Sequence, residues 1–156
     1  MKTALLILLA VAICFAAYAS SDSRNGVWTA ELNTDGTTLQ MTLFRGSRET
    51  GAGRNFRGMN DVMGFELSLV SLTGLTTADI KSTAANVQFS MSRPAGSISF
   101  EGRFANGNGA GNFKFAPSET FVRDMASLGY TEFKEDDLLM FATTEFSPQT
   151  VRDLRA

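Results

Sequence analysis

Val87-Gln88-Phe89-Ser90-Met91-Ser92-Arg93 alternates apolar and polar residues, breaks at Pro94-Ala95-Gly96, and resumes as Ile98-Ser99-Phe100-Glu101-Gly102-Arg103-Phe104. A period of two places alternate side chains on opposite faces of a strand, so each run reads as a strand with one buried face. After Ala105 to Gly111, which reads as a wide, mobile hairpin tip, Asn112-Phe113-Lys114-Phe115 continues the pattern. Ile98, Phe100 and Phe104 share one face, and Phe113 and Phe115 pair against it to give a ring-rich sheet surface. Three successive strands joined by short turns predict an antiparallel meander.

Working outward from there, Val27-Trp28-Thr29-Ala30-Glu31-Leu32 and Leu39-Gln40-Met41-Thr42-Leu43-Phe44-Arg45 flank the turn cluster Asn33-Thr34-Asp35-Gly36 and predict a further hairpin. Phe65 to Leu69 reads as a short extra strand, and Thr76 to Lys81 as one helical turn capped by Thr77. Pro117 changes the character of the chain. Ser118 suits the cap of a helix carrying Phe121, Val122, Met125 and Leu128, closed by Gly129 and Tyr130. A second helix spans Glu135 to Thr143, with Glu135, Asp136 and Asp137 at its positive end. Ser147-Pro148 opens a third, with Val151 and Leu154 on its apolar face. Val122-Arg123-Asp124-Met125 recurs as Val151-Arg152-Asp153-Leu154, which suggests a helical repeat whose second copy is cut short at Ala156. The expected fold class is α+β, mainly β: an antiparallel meander sheet or small sandwich or barrel, followed by two or three short helices.

The N-terminus predicts export. Lys2 precedes an apolar run from Ala4 to Ala16, and Ala17-Tyr18-Ala19 presents small residues for cleavage between Ala19 and Ser20. That run is too short to span a bilayer as a helix, so residues 1–19 read as a signal peptide, leaving no stable membrane insertion after cleavage. Val11-Ala12-Ile13-Cys14 loosely resembles a lipobox, which keeps a lipoprotein at Cys14 as an alternative. The expected division is a β-domain over residues 20–116 and a helical segment over 117–156, packed on the β-domain or trailing it.

Composition narrows the chemistry. The chain has no His, and its one Cys lies in the leader. This argues against imidazole, thiol and most metal chemistry, so neither a cofactor nor a metal is expected, and the chain reads as a non-enzyme. Cleavage leaves 13 basic against 16 acidic residues, which gives no sign of a nucleic-acid partner. Among the acids, Glu101 with Glu66 or Asp61 is the candidate pair for a hydrolase, weighed against Glu101 pairing across strands with Lys114. Trp28 reads either as a sugar-stacking residue or, more simply, as a sheet anchor. Arg45, Arg48, Arg54 and Arg57, around the Gly-rich stretch 46–64, form a candidate anion-binding loop; its alternative is a solvated connection. Phe121, Arg123, Met125, Tyr130, Val151 and Leu154 form a candidate interaction surface.

The stretch from Gly96 through Pro117, with Phe121-Val122-Arg123-Asp124-Met125, Leu128-Gly129-Tyr130, Asp136-Asp137-Leu138-Leu139 and Val151 to Ala156, resembles an exported bacterial module of uncharacterised proteins. Similar modules stand alone behind a signal peptide, or form C-terminal regions of membrane-anchored proteins resembling metallopeptidase-type sensors of β-lactam resistance. The similarity covers Val87 to Ala156 well and Val27 to Leu75 loosely. It implies a periplasmic or extracellular accessory or sensory domain whose partner is a protein or an envelope polymer. Two departures stand out: Thr144-Glu145 occupies the place of a His-Asp pair, and Lys134 the place of a Ser or Thr cap. The alternatives to an interaction module are a small apolar-ligand carrier with a Phe-lined barrel and a carboxylate-dependent hydrolase.

Overall fold

The computed structural model describes residues 24–45 and 61–155. Seven strands form one antiparallel sheet: β1 (Asn25–Leu32), β2 (Thr38–Arg45), β3 (Asp61–Ser68), β4 (Leu72–Thr73), β5 (Ala85–Arg93), β6 (Gly96–Ala105) and β7 (Asn108–Pro117). Their order is β3-β2-β1-β7-β6-β5-β4. Two meanders therefore meet at the β1–β7 pairing, and the sheet curls into a half-barrel. Four short helices accompany it: α1 (Thr77–Lys81), α2 (Glu119–Ser127), α3 (Glu135–Thr143) and α4 (Pro148–Arg155).

The inward face is the one the alternation assigns. Phe100 stands opposite Phe89 and Phe113, and Ile98 opposite Met91 and Phe115, all buried. Phe89 stacks on Phe100 at 4.7 Å, and Trp28 meets both rings edge-on at 5.4 and 6.0 Å. Burying side chains of this size contributes about 1.5–3 kcal/mol each. Trp28 anchors the group and is fully buried.

The segment after Ala105 is not the wide tip its glycines suggest. Asn106 and Gly107 alone make the turn, with φ of +51° and +86°, and Asn108 already belongs to β7. Both positions need left-handed backbone, the requirement that Asn-Gly meets in a two-residue hairpin. The later glycines serve packing. Trp28 is in register with Gly111, which is in register with Gly102 on the next strand. With no side chains in its way, the indole reaches across β7 and donates to the carbonyls of Asn112 (3.0 Å) and Glu101 (3.2 Å). A Cβ on Gly111 would lie 1.9 Å from the Glu101 carbonyl oxygen, so no side chain fits there.

Three local expectations are corrected. Thr76, not Thr77, caps α1: its hydroxyl accepts from the Asp79 N–H while Asp79 accepts from the Thr76 N–H, a reciprocal box. The short strand expected at Phe65 begins at Asp61, because Val62 to Ser68 pairs fully along β2. Glu101 stands opposite Asn112, while Lys114 faces Ser99, so Lys114 lies two residues along β7 from the position directly opposite Glu101.

The helices beyond Pro117 follow their caps. The Ser118 hydroxyl accepts from the Phe121 N–H, and Gly129 (φ +89°) closes α2, with Tyr130 N–H donating to Met125 O. Lys134 gives α3 no side-chain cap; instead Asp137 accepts from the Lys134 N–H at 2.8 Å. Helix α3 ends with Glu145 at φ +59° and Phe146 N–H donating to Phe141 O, the closure of α2 repeated without its glycine. Val151 of α4 is buried, but Leu154, expected on its apolar face, is 82% exposed. The sequence echo between α2 and α4 is thus not an echo in burial, since Met125 at the matching position is covered.

Candidate functional site

Helix α3 is fixed to the sheet at both ends by arginines. Arg24 donates to Glu135 at 2.6 and 2.8 Å, Arg45 pairs with Asp136, and Arg93 meets Glu145 at 2.6 Å. Acids in the first turn suit the helix dipole, whereas Glu145 opposes it, and Arg93 offsets that repulsion. Of these, Arg45 was a candidate anion-binding residue. It is buried at the end of β2, and α3 supplies a carboxylate to it. Arg48, Arg54 and Arg57 lie outside the described residues, as do Cys14, Ala19 and Ser20.

Against this fixed helix the chain builds a second ring cluster. Phe121 of α2 lies 6.3 Å from Phe133 and 5.9 Å from Phe141 of α3, which stacks on Phe146 at 4.7 Å. Phe121 is buried, and the other three are mostly covered, each keeping part of its ring exposed. Between them and α4 opens a cleft of about 360 Å³ lined by Met125, Tyr130, Phe133, Phe141, Phe146, Val151, Leu154 and Arg155. The Arg155 guanidinium stacks over the Tyr130 ring at 5.2 Å.

Of the surface residues expected from the sequence, Met125, Tyr130, Val151 and Leu154 line this cleft, and Phe121 supports its floor through Phe133 and Phe141. Arg123 lies apart, exposed and bonded to Thr120 at 3.1 Å. Phe133, Phe141, Phe146 and Arg155 were not anticipated. Phe133 and Phe146 sit in connections without periodicity, where only their aromatic character was a signal.

The candidate hydrolytic acids do not converge. Glu66 and Glu101 project from the outer face of β3 and β6, with β2, β1 and β7 between them. At a strand spacing of about 4.8 Å this separates them by roughly 19 Å, well beyond the ~9.5 Å limit for an acid/base pair. Among the described residues, no three His, Cys, Asp or Glu side chains group as metal ligands, and no helix is long and apolar enough to cross a membrane. A second, more open hollow of about 410 Å³ lies on the outer face at Asn86, Val87, Gln88, Glu101 and Gly102.

No family model, curated protein or solved structure matches this chain.

Proposed function

We propose that this protein is an exported, non-catalytic accessory module of the bacterial cell envelope that binds its partner through the ring-lined cleft of its helical layer. The observation that carries this reading is the cleft itself. Three phenylalanines that a closed core would cover completely are left partly exposed around an opening of about 360 Å³, a volume within the range of ligand pockets. Exposed apolar surface gathered in a concavity marks binding more often than isolated exposed residues do. The leader at residues 1–19, and the resemblance to exported envelope modules, support the location.

The test is a titration with the uncharged dye N-phenyl-1-naphthylamine, whose emission rises in an apolar site. Wild type is expected to bind saturably. Leu154→Asp, placed on an exposed residue of the rim, is expected to weaken binding about ten-fold or more with an unchanged melting temperature. A dye that fails to saturate, or binds both proteins alike, excludes the cleft as the binding surface.

A further inference from the structure

The cleft has a polarity that its apolar walls conceal. We infer that it takes a ring-bearing monocarboxylate, with the rings among the phenylalanines and the carboxylate on Arg155. This inference rests on the cleft being the binding surface.

Size sets the body of the ligand. A cavity of ~150 Å³ holds a single benzene ring, so about 360 Å³ accommodates a body of two fused rings. Charge sets its head group. Among the described residues lining the cleft, Arg155 is the one that carries a charge, and none carries a carboxylate. One face of its guanidinium is occupied by Tyr130, and no acceptor among the described residues takes a hydrogen bond from its edge. Arg155 is exposed, and a guanidinium that rests one face on a ring keeps its planar N–H edge available for two-point contact with a carboxylate. The chain's net charge of −2 supplies no long-range attraction for an anion, so selectivity rests on this contact. The walls also argue against a peptide occupant. Each buried peptide unit brings an N–H and a C=O that need partners. Among the described lining side chains, the Tyr130 hydroxyl and Arg155 are the strong hydrogen-bonding groups on offer.

The experiment compares 1-naphthoate with 1-naphthalenemethanol, equal in body but uncharged, by isothermal titration at fixed salt on wild type and Arg155→Gln. One charge-assisted contact is expected to give naphthoate about a ten-fold advantage on wild type. Arg155→Gln is expected to bring the two affinities together while leaving the alcohol's unchanged. Equal affinities on wild type, or a preference that survives in Arg155→Gln, overturn the inference but not the cleft. If neither compound binds, the inference falls, and the dye titration decides whether the cleft falls with it. N-acetylphenylalanine serves as the third ligand: binding tighter than naphthoate makes the occupant a peptide C-terminus and overturns the inference. A dimer in sedimentation that Leu154→Asp dissociates makes the occupant a second copy of this chain, and overturns it equally.

Discussion

The rings of the sheet and the rings of the helical layer are spaced alike, from 4.7 to 6.3 Å in both clusters, yet one cluster is sealed and the other is open. Trp28, Phe89, Phe100 and Phe104 sit on hydrogen-bonded strands, and almost none of their surface reaches water. Phe133 and Phe146 sit in connections flanking α3, packed against Phe141 in a layer of short helices, and each ring keeps an exposed part. Ring contact alone therefore does not make a core; coverage on the far side does. The sheet rings lie wholly inside the core, whereas the helical rings pack against that same core and leave part of their surface at the cleft.

The sharpest way to break this contrast is to compare substitutions in the two clusters by urea denaturation. Gly111→Ala drives a methyl against backbone at 1.9 Å beneath the Trp28 indole, and is expected to cost more than about 4 kcal/mol. Phe100→Ala is expected to cost about 3–5 kcal/mol, as buried aromatic truncations do. Phe146→Ala, partly exposed to begin with, is expected to cost about 1–2 kcal/mol. Equal losses for the two phenylalanines would abolish the distinction between core and surface.

A smaller effect sharpens the join between the two regions. Asp136→Asn removes a half-exposed charge facing buried Arg45, and about 1 kcal/mol of stability is expected to go with it. Amide exchange is expected to quicken in α3 before it quickens in β2. Uniform quickening would mean that helix and sheet open as one unit.

The smallest effect lies far from both clusters. The Thr37 backbone N–H donates to Asp35 at 2.8 Å and holds its carboxyl below the usual aspartate range, and Thr38 adds to this. A lowered folded pKa contributes stability above the unfolded value and loses it as pH falls through the folded one. The melting-temperature difference between wild type and Asp35→Asn is therefore expected to be present at neutral pH and to vanish on strong acidification. A difference that persists at low pH would assign the effect to shape rather than charge.

Much of this arrangement was legible in the sequence, and the exceptions share causes. Strands β5 and β6 and helices α2 to α4 announced themselves because period, cap and breaker agreed at each. The start of β7 was misread because its glycines are demanded by Trp28 on a strand far away in sequence, and local pattern does not distinguish packing glycine from flexible glycine. Pairing of β1 with β7 is a contact between distant segments that no local pattern encodes. The cleft was half visible. Apolar spacing pointed to Met125, Tyr130, Val151 and Leu154, but Phe133 and Phe146 lie in aperiodic connections, and the exposure of Leu154 depends on where α4 comes to rest.

Trp28 is the chain's single tryptophan, and it stands among phenylalanines with its indole N–H bonded only to backbone. Near-ultraviolet excitation at the red edge therefore lights one fluorophore, located in the half-barrel and blind to the layer above. Emission from it tracks the melting of the sheet alone. A ligand in the cleft that does not absorb in the range of indole emission leaves that spectrum still unless the strands themselves rearrange, so for such ligands the protein carries its own optical control.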